Sequence, residues 1–348
     1  MDSAHLLSLT GALRDKKVVV VGDVVADEFV YGRVARVSRE APVLILEYDS
    51  SEIVPGGAGN AANNVAALGG RAILVALVGR DAPGRRVAAA LHRRVDSRYL
   101  SRIRGTPTPV KTRILAGGVH SAKQQVVRID RGVARPVGPG VRQAFERAAL
   151  EAVQQGDAVL VSDYGSGLMT PAFVGTLRRT LKHAGLPIPV LIDTRYRLLQ
   201  YRGLTACTPN ESEVEQALGI RINDNQRMLE RAGREILDRT RMQAVLITRG
   251  SRGMALFVRN APIVHIPIFG TDSIVDVTGA GDTVVSTVAL ALAAGGSFEA
   301  AARLANYAGG LVVMKRGTAT VSADELRAAI ISDRGKGRHA PPGARAHG

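Results

Sequence analysis

A series of short apolar runs, each closing on a turn former or polar residue, alternates with segments of helical periodicity. The runs read "KVVVVGD" (residues 17–23), "AILVALVG" (72–79), "DAVLVSDYG" (157–165), "IPVLIDT" (188–194) and "AVLITRG" (244–250). Between them lie helical stretches at 60–70, 84–94, 141–156, 171–185, 211–219 and 227–239. Near-continuous apolar strands joined by helices predict a mostly parallel sheet, buried on both faces in an α/β fold. The first run predicts a buried strand ending at Gly22-Asp23. Residues 43–48, 110–115 and 124–129 are β-like but less uniformly apolar, and predict a small sheet outside the main core. In such an architecture ligands bind beyond the carboxyl ends of the strands. Polar clusters fall at these ends: Gly22-Asp23, Ser162-Asp163-Tyr164, Asp193 and Thr248-Arg249-Gly250.

Composition narrows the function classes. Across 348 residues the net charge is +15, which suits nucleic acid, a membrane surface or an anionic small substrate. Aromatic residues make up 4% with no tryptophan, so platforms for stacking single-stranded bases are scarce. The one biased segment, "SDRGKGRHAPPGARAHG" at 332–348, predicts a basic, disordered tail beyond a domain spanning residues 1–331. No run reaches the length of a membrane span. The N-terminus has no basic start followed by an apolar stretch, so a cytoplasmic protein is expected. The lone Cys207 excludes an internal disulfide framework and reads as a small buried residue.

Three stretches carry chemistry. "DVTGAGDT" (276–283) precedes an apolar helical run. Its glycines allow backbone N–H groups to converge on an anion at a helix N-terminus, with Asp282 beside it as a proton acceptor. The competing reading is a helix cap. "TPNESE" (208–213) sets Asn210 and Glu213 three residues apart, either as a reciprocal cap or as groups that reach magnesium. "GGAGNAANN" (56–64) is glycine-rich but fits neither a Walker loop nor a dinucleotide fingerprint.

Taken in order, "VVGDVVADEFVYGRVARVSREAPV", "GGAGN", "QQVVRID", "SDYGSGLMT", "TPNESE", "TRGSRGM" and "DVTGAGDT" resemble the ribokinase-like (PfkB) sugar kinase family over residues 17–330. Within it they are most similar to the D-glycero-D-manno-heptose 7-phosphate kinases. The resemblance implies a three-layer α/β/α fold with a β-strand lid within about 24–56 and 106–131. It also implies ATP-dependent phosphorylation of the C1 hydroxyl of that sugar phosphate, toward lipopolysaccharide core precursors. Asp282 is then the base, and Gly279, Ala280 and Gly281 form the anion hole. Asn210, Thr248, Gly250, Gly253 and Asn306 border the nucleotide, and Asn210 and Glu213 organise Mg2+. Asp27, Gly56, Gly57, Asn60, Arg128 and Asp163 contact the sugar, and Asp276 matches a monovalent-cation position, usually for K+.

In relatives the lid often mediates dimerisation, so a homodimer is expected. Heptose kinases carry Pro-Lys-Gly where this chain has Thr194-Arg195-Tyr196, a lysine at Ser166 and a proline at Arg39. The competing expectations are a kinase of ribose, fructose or a nucleoside, and a non-catalytic sugar or nucleic-acid binder. Asp282, Asn210 and Glu213 argue against the binder.

Overall fold

The computed structural model describes residues 2–117, 123–132, 137–270 and 276–338. Helix α1 (Ser3–Ala12) is followed by the long strand β1 (Lys17–Val37), its antiparallel partner β2 (Leu44–Gly57) and α2 (Ala58–Ala67). Then come β3 (Arg71–Gly79), α3 (Ala82–Ala89), β4 (Val95–Asp96), β5 (Leu100–Ile103), and the pair β6 (Val110–Gly117) and β7 (Gln124–Arg131). The next stretch alternates α4 (Pro139–Ala152), β8 (Ala158–Asp163), α5 (Pro171–His183), β9 (Val190–Thr194) and β10 (Ala206–Cys207). Helices α6 (Glu211–Leu218) and α7 (Gln226–Thr240) lead to β11 (Ala244–Thr248), β12 (Met254–Val258) and β13 (Val264–Ile266). Helices α8 (Ala280–Ala293), α9 (Phe298–Val312) and α10 (Ala323–Arg338) complete the order.

The main sheet runs β13-β12-β11-β10-β9-β8-β1-β3-β4. Pairing is parallel except at β12, which runs antiparallel to both β11 and β13. Side-chain alternation splits the valine run of β1 between the two faces. Val18 and Val20 pack with α1, α2, α8, α9 and α10, whereas Val19 and Val21 join the core beneath α4, α5 and α7. A strand buried on both faces needs apolar residues at every position, which is why its pattern shows no polar alternation.

The first strand does not stop at Gly22-Asp23. It continues to Val37, leaving the main sheet to pair with β2 and β6 in a second sheet completed by β7. Gly22 is needed there for close approach to β8, not for a turn. A side chain at that position would meet the Ser162 backbone, with its Cα at 3.0 Å. The second sheet stands over one end of the main sheet and carries exposed Val37, Val43, Leu44, Tyr48, Val126 and Ile129.

The segment 332–348 is not a uniform tail. Helix α10 continues to Arg338, and residues 339–348 lie outside the described residues. Its anchor is local: Leu326 and Ile330 are buried in the core, and a helix nucleated by such packing propagates at little cost. Among the described residues no helix is long and apolar enough to cross a membrane.

Candidate active site

A cleft of about 560 Å³ opens at the carboxyl ends of the central strands, between them, the second sheet and the start of α8. Its centre is Asp282. Gly279 caps α8 with φ 79°, a left-handed conformation that glycine adopts without strain. A Cβ there would also stand 2.7 Å from Asn60 Nδ2. Among the described residues the N–H groups of Gly281 and Asp282 have no acceptor, whereas those of Ala280 and Thr283 bond Val277 and Gly279 carbonyls. Nothing lies within 4 Å of a Cβ built on Gly281. The free donors therefore face open cleft, as an anion nest requires.

Helix α2 holds Asp282 from the other side. Asn60 and Asn64 are one turn apart on the face that packs on α8. Asn60 Nδ2 donates to Asp282 Oδ2 at 2.7 Å, and Thr283 Oγ1 donates to Asn64 Oδ1 at 2.9 Å. Asn64 Nδ2 donates to Asn60 Oδ1 at 3.0 Å, which turns the Asn60 amide toward the carboxylate. Tyr164 OH donates to Asp282 Oδ1 at 3.1 Å. Burial pushes the Asp282 carboxyl up to about 7, against the opposing pull of the Asn60 and Tyr164 donors. A carboxyl poised there is suited to accept a proton near neutral pH.

Toward the second sheet, Asp27 Oδ1 accepts from Arg113 Nη1 at 2.6 Å, with 9% and 11% of the respective side chains exposed. Gly56 is pressed against the Asp27 carboxylate, with Cγ 2.9 Å from the place a Cβ would take. Gly57 has φ 58°, and its position abuts the Tyr164 ring at 3.4 Å. Both glycines end β2, so the glycine-rich stretch is a strand end feeding straight into α2 rather than a loop. Arg128 lies on exposed β7 and pairs with Asp130 at 2.8 Å. Asp163, expected at the sugar, is turned inward. Its carboxylate accepts from Tyr201 OH at 2.7 Å, Thr194 Oγ1 at 3.0 Å and Gly165 N at 3.0 Å. It ties strand ends together at the wall of the cleft.

At the opposite end, Asn210 and Glu213 form the reciprocal cap of α6, each accepting the other's backbone N–H at 2.9 Å. Both also line the cleft, together with Thr208, Thr248, Gly250, Gly253 and Asn306. Burial raises the Glu213 and Asp193 carboxyls above their ordinary values. Thr208 Oγ1 is buried without a hydrogen-bond partner on this wall. That orphan hydroxyl, the free α8 donors and the carboxyl at Glu213 fit a metal-bound polyphosphate. Asn306 Nδ2 donates to Pro267 O at 2.9 Å. Asp276 accepts from Thr278 N at 2.8 Å and Gly317 N at 3.0 Å, bracing the loop before α8. Among the described residues no group of three or more His, Cys, Asp or Glu is arranged to hold a metal.

A sequence profile of pfkB family carbohydrate kinases matches residues 15–325. The chain belongs to the PfkB carbohydrate kinase family. It is 42% identical over 339 residues to the bifunctional protein HldE of Caulobacter vibrioides, covering 97% of this chain and 68% of the relative. To the bifunctional protein HldE of Geobacter metallireducens it is 40% identical, covering 94% of this chain and 65% of that protein. The chain thus spans about two thirds of the length of these relatives. Two solved structures share the fold. Arabidopsis thaliana ribokinase, complexed with ribose and ATP, superposes with a TM-score of 0.67 at 22% identity, covering 92% of this chain and 98% of that one. Escherichia coli phosphofructokinase-2, in complex with potassium, gives 0.70 at 16%, covering 92% and 99%.

As a PfkB carbohydrate kinase the protein is a phosphotransferase acting on a sugar hydroxyl, with the ATP and Mg2+ requirement of such kinases. The sequence motifs named most of the cleft, but not Lys111, Arg113 or the contact of Tyr164 with Asp282. The first two sit two residues apart on β6, so strand alternation puts them on one face. That period was readable in advance, but not the direction in which the face would point. Tyr164 stood in a polar cluster at a strand end, which marked its place but gave it no partner.

Proposed function

We propose that the protein transfers the terminal phosphoryl group of ATP to the C1 hydroxyl of D-glycero-D-manno-heptose 7-phosphate, giving the 1,7-bisphosphate for lipopolysaccharide core precursors. The observation that carries the reading is the buried Asp282 carboxyl, held by Asn60 and Tyr164 beside the free N–H groups of α8. The resemblance in "QQVVRID" and "SDYGSGLMT", with the identity to the HldE proteins, supports this acceptor.

Asp282 takes the hydroxyl proton as the sugar oxygen bonds to phosphorus and the bond to the ADP oxygen breaks. Gly279, Ala280 and Gly281 form the nest that faces the charge on the transferred group. Asp27, Gly56, Gly57 and Asn60 hold the sugar hydroxyls, with Arg128 at the rim. Thr248, Gly250, Gly253 and Asn306 border the nucleotide. Asn210 and Glu213 would hold Mg2+, which would supply neutralisation of phosphate charge. Asp276 supports a K+ site at the loop it braces. The second sheet acts as a lid that excludes water.

A panel of sugars and sugar phosphates with ATP, read by product mass, tests the acceptor. Heptose 7-phosphate is expected to give the highest kcat/KM. An unphosphorylated sugar that outperforms it would refute the assignment. The exposed apolar residues of the lid also support a homodimer closing through that sheet. Light scattering should then report twice the chain mass, and a monomer at assay concentration would rule the dimer out.

A further inference from the structure

The hydrogen bonds that join Asp282 to helix α2 run in one direction, and a main-chain oxygen sets it. Asn64 Nδ2 lies 3.0 Å from the Asn60 main-chain oxygen and 3.0 Å from Asn60 Oδ1. A main-chain oxygen only accepts, so the end of the Asn64 amide that faces it is the amino group. Asn64 Oδ1 then faces Thr283 Oγ1, which donates to it at 2.9 Å. The second proton of the Asn64 amino group goes to Asn60 Oδ1, which leaves the Asn60 amino group toward Asp282 Oδ2 at 2.7 Å. Asn60 is 1% exposed, and Asn64 and Thr283 are fully buried, so bulk water does not replace any partner in this chain.

The opposite orientation of Asn60 has different chemistry. With its amide turned over, Oδ1 would stand against the Asp282 carboxyl. Two acceptors in that position repel unless the carboxyl keeps its proton and donates it. The two orientations of Asn60 thus match the two protonation states of the base: amino group forward with the carboxylate, oxygen forward with the acid. We propose that Asn64 is a positioning residue that locks Asn60 with its amino group forward and so holds Asp282 in the ionised, proton-accepting form. The inference rests on the reading of Asp282 as the base, and it assigns the control of that base to a residue on another helix that acts on it through Asn60.

The charged groups that face the carboxyl from other elements are Asp27 on β1, which raises it, Lys111 on β6, which lowers it, and Asp193 on β9. None of them is altered by a change at Asn64. The test uses the full chain with Asn64→Leu, which keeps the size of the side chain and removes its donor, and Asn64→Ala, which only removes atoms. In both, Thr283 Oγ1 can still donate to Gly279 O at 3.3 Å, and Ser286 Oγ still ties α8 to Ala61 O of α2 at 3.0 Å. With the best acceptor of the sugar panel, the acid limb of kcat/KM should move up by about 1–2 pH units, the size of one hydrogen bond to a charged group. Turnover well above that limb should return close to the parent's. The Asp282 carboxyl resonance, assigned in carbon NMR by its absence from Asp282→Asn, should shift its titration by the same amount in the free protein.

A loss of activity equal at every pH, with the acid limb and the resonance unmoved in both variants, would show that Asn64 only packs α2 on α8 and would overturn the proposal. The resonance also separates this inference from the reading beneath it. If Asp282→Asn keeps its turnover, the base role fails, and the titration still decides whether Asn64 sets the ionisation of Asp282.

Discussion

Replacing Asp282 with Asn is expected to leave the fold and ATP binding intact and to lower kcat by about 10²–10⁴-fold, the range a general base supplies. The amide matches the carboxylate in shape and can still accept from Asn60 through its one oxygen while its NH2 donates to the Tyr164 hydroxyl, so the loss is chiefly of proton transfer. The pH profile gives a second reading of the same group. Burial raises the Asp282 carboxyl to about 7, and the base is the ionised form. Activity of the free enzyme, as kcat/KM, is therefore present above that pH and lost as pH falls through it. Tyr164 donates to the ionised carboxylate and so lowers its value. Tyr164→Phe removes that donor and should move the acid limb to higher pH.

Stability runs in the opposite sense. A carboxyl raised on folding contributes stability below its unfolded value near 3.8, which is lost as pH rises through about 7. At pH 8 the Asn variant should therefore unfold at no lower denaturant concentration than the parent. Near-parental turnover in Asp282→Asn, or an acid limb unmoved by Tyr164→Phe, would remove Asp282 from the base role.

Asp27→Ala should destabilise the protein by about 3–5 kcal/mol, because it strands a charge in a largely buried site. The Asp27–Arg113 pair is 2.6 Å long and about nine-tenths covered. It joins β1 to β6 where the lid meets the main sheet. Removing Arg113 as well, in Asp27→Ala/Arg113→Met, should recover most of the stability, since no unpaired charge then remains. Sugar binding should not recover, because the carboxylate proposed to hold hydroxyls is still absent. Denaturant unfolding and the KM for sugar separate the two effects. A double variant as unstable as the single one would show that the loss is of packing rather than of charge pairing.

Much of this molecule was legible before any coordinates. Valine runs set off by turn formers encode buried parallel strands, because their only requirement is an apolar residue at each position. "TPNESE" encodes its own cap, and the cap is there. "DVTGAGDT" encodes a glycine-capped helix start, and Gly279 adopts the left-handed conformation that such a start uses. These are relations between residues a few positions apart, where backbone sterics and local hydrogen bonds dominate.

The partners of those residues were another matter. Gly22 looked like a strand end because Gly-Asp is a turn signal, yet it serves close packing against β8, a strand distant in the chain. Asp163 and Asp282 are both acids at element ends. Both border the cleft, but one is held by Tyr201 and Thr194 and the other by Asn60 and Tyr164. The base meets Asn60 across 222 residues of chain and Tyr164 across 118. No periodicity spans such distances. Spacing along the chain specifies which face a residue takes on its own helix or strand. Which faces then meet, and so which carboxylate is buried beside a donor, follows from how the layers pack.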